Sequence, residues 1–487
     1  MNTISLFNPG SWGIPIEAVE QLGNRLEDFW AGYQECFKSK TRDVNESGYH
    51  YMSGQLRMES DRNFANIGRN TGVSGQNMQH FMSNSPWSSQ RVYQKIQQDI
   101  KATPGLESGG VLLLDESGDE KAGVHSAGSS KQYNGRLGKI EISQMGVFLA
   151  YANLKTTPVW SWVEGDLFLP EVWFSEENAQ LRKRLGIPKD LKFKSKIEIG
   201  WELIQRVRDN GLPFEILGCD SLYGRSEWLR SQLHENGITY MAEIACDTQV
   251  YLNQPTLGIP DRASNKGRFP TRVKVLSQER AVEVRSLVNA KNTQWHRLKI
   301  RTIERGELCD LFAARRVWVV YEDQVREEWL VIRQESNGKY SYAFSNAGAD
   351  TSLVQLAWWK CQRYFVERAN QDAKSEMGWD EFQAQKYLAW QHHLALTILA
   401  CWFIAQTKFE WAKKYPQNPQ LLEQFEIDVL PLLSVANIRT LLRAVMPLSQ
   451  LTPEQASQLV VEHLVNRTRS RKSRLRKARD GDIQTEM

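Results

Sequence analysis

Apolar positions in residues 1–105 recur at intervals of three and four without strict alternation, from an amphipathic opening at Ile16 to Phe37 (IEAVEQLGNRLEDFWAGYQECF) onward. That spacing predicts a helical region. From Gly109 the pattern changes to period two and to unbroken apolar runs. Strands are expected at Gly110–Asp115 (GVLLLD), Ile140–Asn153 and Pro158–Leu169, the last closed by Pro170. Helical segments follow near Ser175–Leu185 and Ser195–Asp209. A strand at Phe214–Cys219 (FEILGC) then ends on Asp220, a helix runs near Arg225–Asn236, and a strand covers Thr239–Ala245. The order β-β-β-α-β-α-β predicts an α/β fold, a mixed five-stranded sheet with helices on its faces.

Between Cys246 and Ala349 short apolar strands such as VWVVY (Val317–Tyr321), EWLVI (Glu328–Ile332) and YSYAF (Tyr340–Phe344) alternate with Gly, Asn and Asp. They suggest a β-rich insertion. A long helix is expected from Leu353 to Met377, stopped by Gly378, then helices over Phe382–Tyr415 and 418–465, with Thr452 capping and Pro453 in a first turn. The expected organisation is a helical domain at 1–105, a catalytic domain from 106–245 and 350–415, an insertion at 246–349, a helical region at 416–465 and a basic, disordered tail at 466–487. Within the first domain, residues 62–82 have helix-turn-helix spacing: Gly68 lies four before the turn glycine Gly72, and apolar residues follow. The second helix would offer Gln76, Asn77, Gln79 and His80 to a DNA groove. An ordinary helical hairpin has the same signature.

Composition narrows the setting. The 487 residues are 41% apolar with 17 Trp, enough core for two to four domains. The six cysteines show no C-x2-C pair and no short spacing to a histidine, so neither a zinc ribbon nor a disulfide framework is expected, and a reducing cytoplasm fits. The longest apolar run, His393 to Ala405, falls short of the ~20 residues of a membrane span, and no export signal opens the chain. No membrane role is expected. The formal charge of +4 is uneven: eight cations, Arg467, Arg469, Arg471, Lys472, Arg474, Arg476, Lys477 and Arg479, stand in one run without an acid. Elsewhere 53 basic residues face 57 acidic ones. Such a run neutralises phosphates, which points to nucleic acid.

The candidate chemistry is a set of three carboxylates. Asp115 directly follows VLLL and Asp220 directly follows FEILGC, so two strands deliver acids at their ends. In a sheet whose expected strands are ordered 3-2-1-4-5, those two strands are neighbours. Glu367 lies on the expected helix after the insertion, with Arg363 one turn before it and Lys374 two turns after it on the same face. Clustered carboxylates repel one another unless cations are present, so a divalent metal pair is the physical resolution. Two ions about 3.5–4 Å apart suit in-line phosphoryl transfer.

These residues sit in blocks that resemble the DDE transposases of bacterial insertion sequences over most of residues 50–410. The blocks are Asp115 to Gly128 (DESGDEKAGVHSAG), Lys131 to Gly135 (KQYNG), Gly218 to Gly224 (GCDSLYG), Phe344 to Thr351 (FSNAGADT), and Val366 and Glu367 through Asp380 to Phe382. The resemblance implies a ribonuclease-H-like catalytic fold, with Asp115, Asp220 and Glu367 binding two Mg2+ (or Mn2+) ions. It also implies DNA contacts from Arg363, Lys374, His125 and Tyr223, and an insertion typical of a subgroup that often uses DNA hairpins. That subgroup has a tyrosine where this chain has Lys360, and it stacks a flipped base on an aromatic of the insertion, for which Trp318 and Trp329 are candidates.

The implied activity is cut-and-paste transposition. The enzyme would bind terminal inverted repeats in double-stranded DNA, cleave both ends and join the 3′ hydroxyls to target DNA, acting as a homodimer on the bacterial nucleoid in the cytoplasm. Two other readings remain: a transposase-derived DNA-binding protein without catalysis, and an endonuclease of the same fold that cuts without joining.

Overall fold

The period-two segments fold as expected into strands of one sheet. They are β1 (Gly110–Glu120), β2 (Ser130–Asn134), β3 (Lys139–Asn153), β4 (Val159–Phe168), β5 (Ile216–Cys219) and β6 (Tyr240–Ile244), followed by β7 (His296–Ile303), β8 (Gly306–Tyr321), β9 (Gln324–Gln334) and β10 (Tyr340–Ser345). The computed structural model describes residues 6–135, 138–262, 269–303, 306–448 and 452–485. The sheet runs β7-β8-β9-β10-β6-β5-β1-β3-β2, with β4 also on β3. β1 and β5 are parallel, as are β5 and β6, while β3 runs antiparallel to both β1 and β4. The five expected strands therefore stand in the expected order, that of a ribonuclease-H-like sheet.

Two features depart from the expectation. The sheet has ten strands rather than five, because β10 pairs antiparallel with β6 (Tyr342↔Ile244, Phe344↔Ala242) and carries β7 to β9 with it, and because β2, which was not expected, pairs with β3 at the other edge. The insertion thereby covers a strand edge that would otherwise expose unpaired backbone groups. β1 also does not stop at Asp115. It continues to Glu120 because β3 accompanies it throughout, from Gly110↔Asn153 to Glu120↔Ser143, although its parallel neighbour β5 ends at Cys219 opposite Leu114. Asp115 thus lies where one neighbour stops.

The N-terminal helices α1 (Leu22–Ala31), α2 (Asn45–Arg57), α3 (Phe64–Thr71), α4 (Gly75–Asn84) and α5 (Ser89–Ala102) precede the sheet; α6 (Lys196–Asp209), α7 (Ser221–Gly224) and α8 (Glu227–Glu235) lie within it, and α9 (Leu353–Lys360), α10 (Tyr364–Gln371), α11 (Tyr387–Lys414) and α12 (Val435–Val445) follow. α11 joins the two halves of the core. Its Trp390 lies 6.3 Å from Phe148 of β3, its Phe403 lies 5.2 Å from Phe29 of α1, and Thr397 accepts a 2.8 Å bond from Gln55 of α2. By length and composition α11 is apolar enough to cross a membrane, yet it is almost wholly buried inside the protein, which is the property of a core helix. All six cysteines are unpaired.

At the start of α11, His393 stacks between Trp379 (4.9 Å) and Phe382 (4.6 Å). Its Nε2 donates to the Trp379 carbonyl at 3.2 Å, so Nδ1 accepts from the Tyr51 hydroxyl at 2.8 Å. Burial holds the imidazole down to about 3. Because the unfolded value is about 6.5, the unfolded chain takes the proton first as pH falls. The stability contributed by neutral His393 is complete above that value and is lost progressively below it. Urea denaturation of the wild type is expected to lose about 2 kcal/mol from this group between pH 7 and pH 5, and His393→Gln is expected to lack that component.

The helix-turn-helix spacing folds as α3, a turn at Gly72 (φ +77°) and α4, with Ser74 capping α4 through the Asn77 N–H. A side chain at Gly68 would stand 2.3 Å from the Val73 carbonyl oxygen, so the turn closes only over a residue without Cβ. The expected continuous helix over Leu353–Met377 is instead α9, a 3-10 turn at Cys361–Arg363, α10, and a π-helical turn at Asp372–Glu376. Tertiary bonds from three sides explain the widened turn. Trp160 donates to Asp372 at 2.8 Å, Lys374 donates to the Gly118 carbonyl at 3.0 Å, and Arg439 donates to Glu376 at 2.7 Å. The helix expected from Phe382 begins at Tyr387, and the region expected as helices over 418–465 holds two short helices, Gln420–Phe425 and α12, and the start of a long one at Pro453.

Residues Pro447–Met487 form a second unit, distinct from Met1–Met446. Its helix α13 (Pro453–Thr485) is capped by Thr452, which accepts from the Gln455 N–H at 3.3 Å. The basic run expected as a disordered tail lies within this helix. Its Arg, Lys, Leu and Ala are good helix formers, and neither Gly nor Pro interrupts it before Gly481.

Candidate active site

Asp115 and Asp220 come from adjacent parallel strands. Leu114 pairs with Cys219, so the next residue on each chain brings its carboxyl to the same level of the sheet. Asp115 Oδ1 accepts the Glu116 N–H at 2.9 Å, and Asp220 Oδ1 caps α7 by accepting the Leu222 N–H at 3.0 Å. α7 presses against β6: a Cβ at Gly224 would stand 1.9 Å from the Glu243 carbonyl oxygen, so only glycine allows the approach that fixes the Asp220 turn. Burial, then the charges of Asp220 and Glu116, push the Asp115 carboxyl up to about 8 against the opposing pull of Arg363. Burial and Glu116 likewise raise Asp220. Two carboxyls so placed are short of positive charge, and a divalent cation relieves that condition. Their oxygen donors suit a hard ion.

Glu367 is placed differently. α10 brings it toward this end of the sheet, but its carboxylate is half-exposed and accepts from Arg363 at 2.7 Å. Among the described residues, no three His, Cys, Asp or Glu side chains are drawn together tightly enough to share a metal ion. The structure thus brings Asp115 and Asp220 together and keeps Glu367 on Arg363. Burial works against the Arg363 charge, yet Glu243, Glu367, Asp115 and Asp220 hold its guanidinium above its ordinary value. Arg363 touches two of these acids, Glu367 at 2.7 Å and Glu243 at 3.4 Å. Lys374, expected on the same helical face, is displaced by the π turn onto the Gly118 carbonyl of β1.

The remaining expected contacts divide by exposure. His125 is exposed in the loop after β1, and Gln76 and Asn77 are exposed on α4. Gln76, Gln79 and His80 line a groove of about 700 Å³ whose other wall includes Glu381 to Lys386. Tyr223 is fully buried, so the expected DNA contact is corrected: its ring packs inward against Gly200, and its hydroxyl lies near Glu116. Trp318 and Trp329 are half-buried on one face of the inserted strands rather than in the core. Trp329 is the more restrained, donating to the Gly348 carbonyl at 2.9 Å beneath Arg316. Arg467, Arg469, Arg471, Lys472 and Arg476 are exposed on α13, while the side chains of Arg474, Lys477 and Arg479 lie outside the described residues.

Three charged neighbours of the site were not singled out from sequence. Glu116 follows Asp115 and meets Lys196 of α6 at 3.4 Å. Glu243 of β6 touches Arg363 at 3.4 Å. Only its place in a buried strand beside the Asp220 strand hinted at this position.

The chain matches the DDE superfamily endonuclease family over residues 32–307, a range that includes Asp115 and Asp220 and ends before Glu367. It is also 27% identical over 225 residues to a protein of Microchaete diplosiphon described as a probable transposase for insertion sequence element IS701. That similarity covers 44% of this chain and 52% of the relative, so this chain spans about half the length of the curated relative it matches. The resemblance read from Asp115, Asp220 and their flanking blocks is borne out at the level of family. With more than half of its length matched, the chain belongs to the DDE superfamily endonuclease family, a family of nuclease-type enzymes.

Proposed function

We propose that this protein is an insertion-sequence transposase that binds the terminal inverted repeats of its element, cleaves the ends and joins the freed 3′ hydroxyls to target DNA. The observation that carries the reading is the side-by-side placement of Asp115 and Asp220, each one residue beyond the paired Leu114 and Cys219 of adjacent parallel strands, with the Asp115 carboxyl pushed up to about 8 by burial and by its acidic neighbours. Asp115, Asp220 and, once released from Arg363, Glu367 would hold two Mg2+ ions, with Mn2+ as a substitute. Bound there, the ions would supply activation of the attacking oxygen and stabilisation of the leaving one. The protein's own groups do the rest: Arg363, relieved of Glu367, faces the strand ends as a phosphate contact, and Lys374 fixes α10 to β1.

In this reading α4 and the exposed cations of α13 hold duplex DNA, and Trp318 or Trp329 stacks a flipped base if ends pass through hairpins. Two protomers pair two ends, and the reaction takes place on the nucleoid. The similarity to the probable IS701 transposase supports the choice of transposition over simple cleavage. The Arg363–Glu367 ion pair is the one observation that favours a DNA-binding protein without catalysis.

Incubation with a linear fragment carrying the element's ends and Mg2+, resolved on a denaturing gel, separates these readings. Joined products are expected. Binding without cutting would leave the non-catalytic reading, and cutting without joining would leave the nuclease.

A further inference from the structure

Arg363 has two carboxylate partners, and only one of them belongs to the expected metal ligands. Its Nη2 meets Glu367 at 2.7 Å and its Nε meets Glu243 at 3.4 Å. Glu243 lies one residue beyond Ala242, which pairs with Cys219, so it stands level with Asp220 on the next strand. Its other oxygen faces the ammonium of Lys360 at 3.7 Å. Lys360 is only 3% exposed, and its Nζ makes no hydrogen bond among the described residues, so Glu243 is its nearest countercharge.

We propose that Glu243 is a positioning residue that retains Arg363 when Glu367 turns to the metal ions, with Lys360 holding Glu243 in place from beneath. The inference rests on the metal-site reading above. The guanidinium is largely buried, and a buried cation stripped of its partner is strongly destabilising. When Glu367 leaves, Glu243 is the carboxylate still in contact with Arg363, while Asp115 and Asp220 act on its charge electrostatically. The last two are needed by the metals, so Glu243 alone can take the charge without competing with them. Lys360, where the resembling motif has tyrosine, then has a physical role. It holds the Glu243 carboxylate against Arg363 from the buried side.

The test is Mn2+ binding by the full-length protein without DNA, read from the loss of the free-ion electron paramagnetic resonance signal. Glu243→Gln is expected to weaken binding by about tenfold, in the range found for groups that orient metal ligands. Adding Arg363→Gln to that variant is expected to restore most of the loss, because no guanidinium then competes for the acids. A merely structural defect would not be relieved by a second substitution. If Glu243→Gln fails to fold with Lys360 unpaired, Glu243→Gln with Lys360→Met removes both buried charges and is expected to show the same weakening. Unchanged affinity in Glu243→Gln, or a loss that Arg363→Gln does not relieve, overturns the proposal. Asp115→Asn and Asp220→Asn tell the two readings apart. If both bind Mn2+ like the wild type, the metal-site reading fails and takes this inference with it; if both lose binding while Glu243→Gln does not, this inference alone fails.

Discussion

Asp115→Asn and Asp220→Asn are each expected to lower DNA end cleavage by about 10³-fold or more, since in the proposed reaction each removes a charge on which transition-state stabilisation would depend. Folding is expected to survive. An amide keeps the shape of the carboxyl and can still accept the Glu116 or Leu222 N–H that each aspartate now takes. Relief of the burial and the acidic repulsion that together raise the Asp115 carboxyl to about 8 should, if anything, stabilise the variants in the absence of metal. Glu367→Gln is expected to lose cleavage as well, while the helix keeps its hold on β1 through Lys374. Single-turnover cleavage, with thermal denaturation and gel shift on the same preparations, checks all three. Full cleavage by either aspartate variant would remove these residues from the chemistry.

The largest effect on stability is expected at Arg206. Its Nε meets Glu164 at 2.8 Å, and the Glu164 carboxylate, with no exposed surface, also takes a 2.8 Å bond from Gln97 of α5. This small network ties α6 and α5 to β4. Arg206→Met leaves the carboxylate buried without its countercharge, which costs about 3 kcal/mol, the lower part of the range for a broken buried pair because the arginine keeps a third of its side chain in solvent. The loss depends on pH in a definite direction. Burial already raises Glu164 despite Arg206, and removing the arginine raises it further above the unfolded carboxylate value. A folded value above the unfolded one gives stability that is complete at low pH and lost as pH rises. The Arg206→Met deficit in urea denaturation is therefore expected to be large at neutral pH and to shrink in acid. Glu164→Gln added to Arg206→Met should recover part of it. A deficit independent of pH would show that lost packing by the arginine stem, rather than the stranded charge, is responsible.

The central strand order was legible because each strand holds an apolar run bounded by polar residues, and because an acid directly after such a run marks where the apolar stretch ends. Asp115 and Asp220 were readable for that reason. The continuation of β1 through Ser117, Gly118 and Asp119 was not, since its polar residues carry no strand pattern and owe their conformation to β3. The insertion's place in the sheet depends on a pairing between β6 and β10 about 100 residues apart, which no local periodicity records. The π turn at Asp372–Glu376 has an ordinary helical sequence, and Trp160, Gly118 and Arg439 impose it from outside. Tyr223 reads as an exposed polar aromatic after a turn, yet the close approach of Gly224 to β6 draws it inward. Glu243 illustrates the same limit at the site itself: an acid inside TYMAEIA becomes informative only when strand register sets it level with Asp220.

The central claim is that Asp115 and Asp220 hold the ions that cleave DNA, and it is tested most directly by changing the ligand atom and the ion together. Asp115→Cys and Asp220→Cys place a thiolate, a poor ligand for Mg2+ and a better one for the softer Mn2+, at each position. End cleavage is expected to be lost in Mg2+ and to return in Mn2+ for both variants, while the wild type cleaves with either ion. Equal cleavage by wild type and variants in Mg2+, or a loss that Mn2+ does not reverse at either position, would contradict metal binding by these two aspartates.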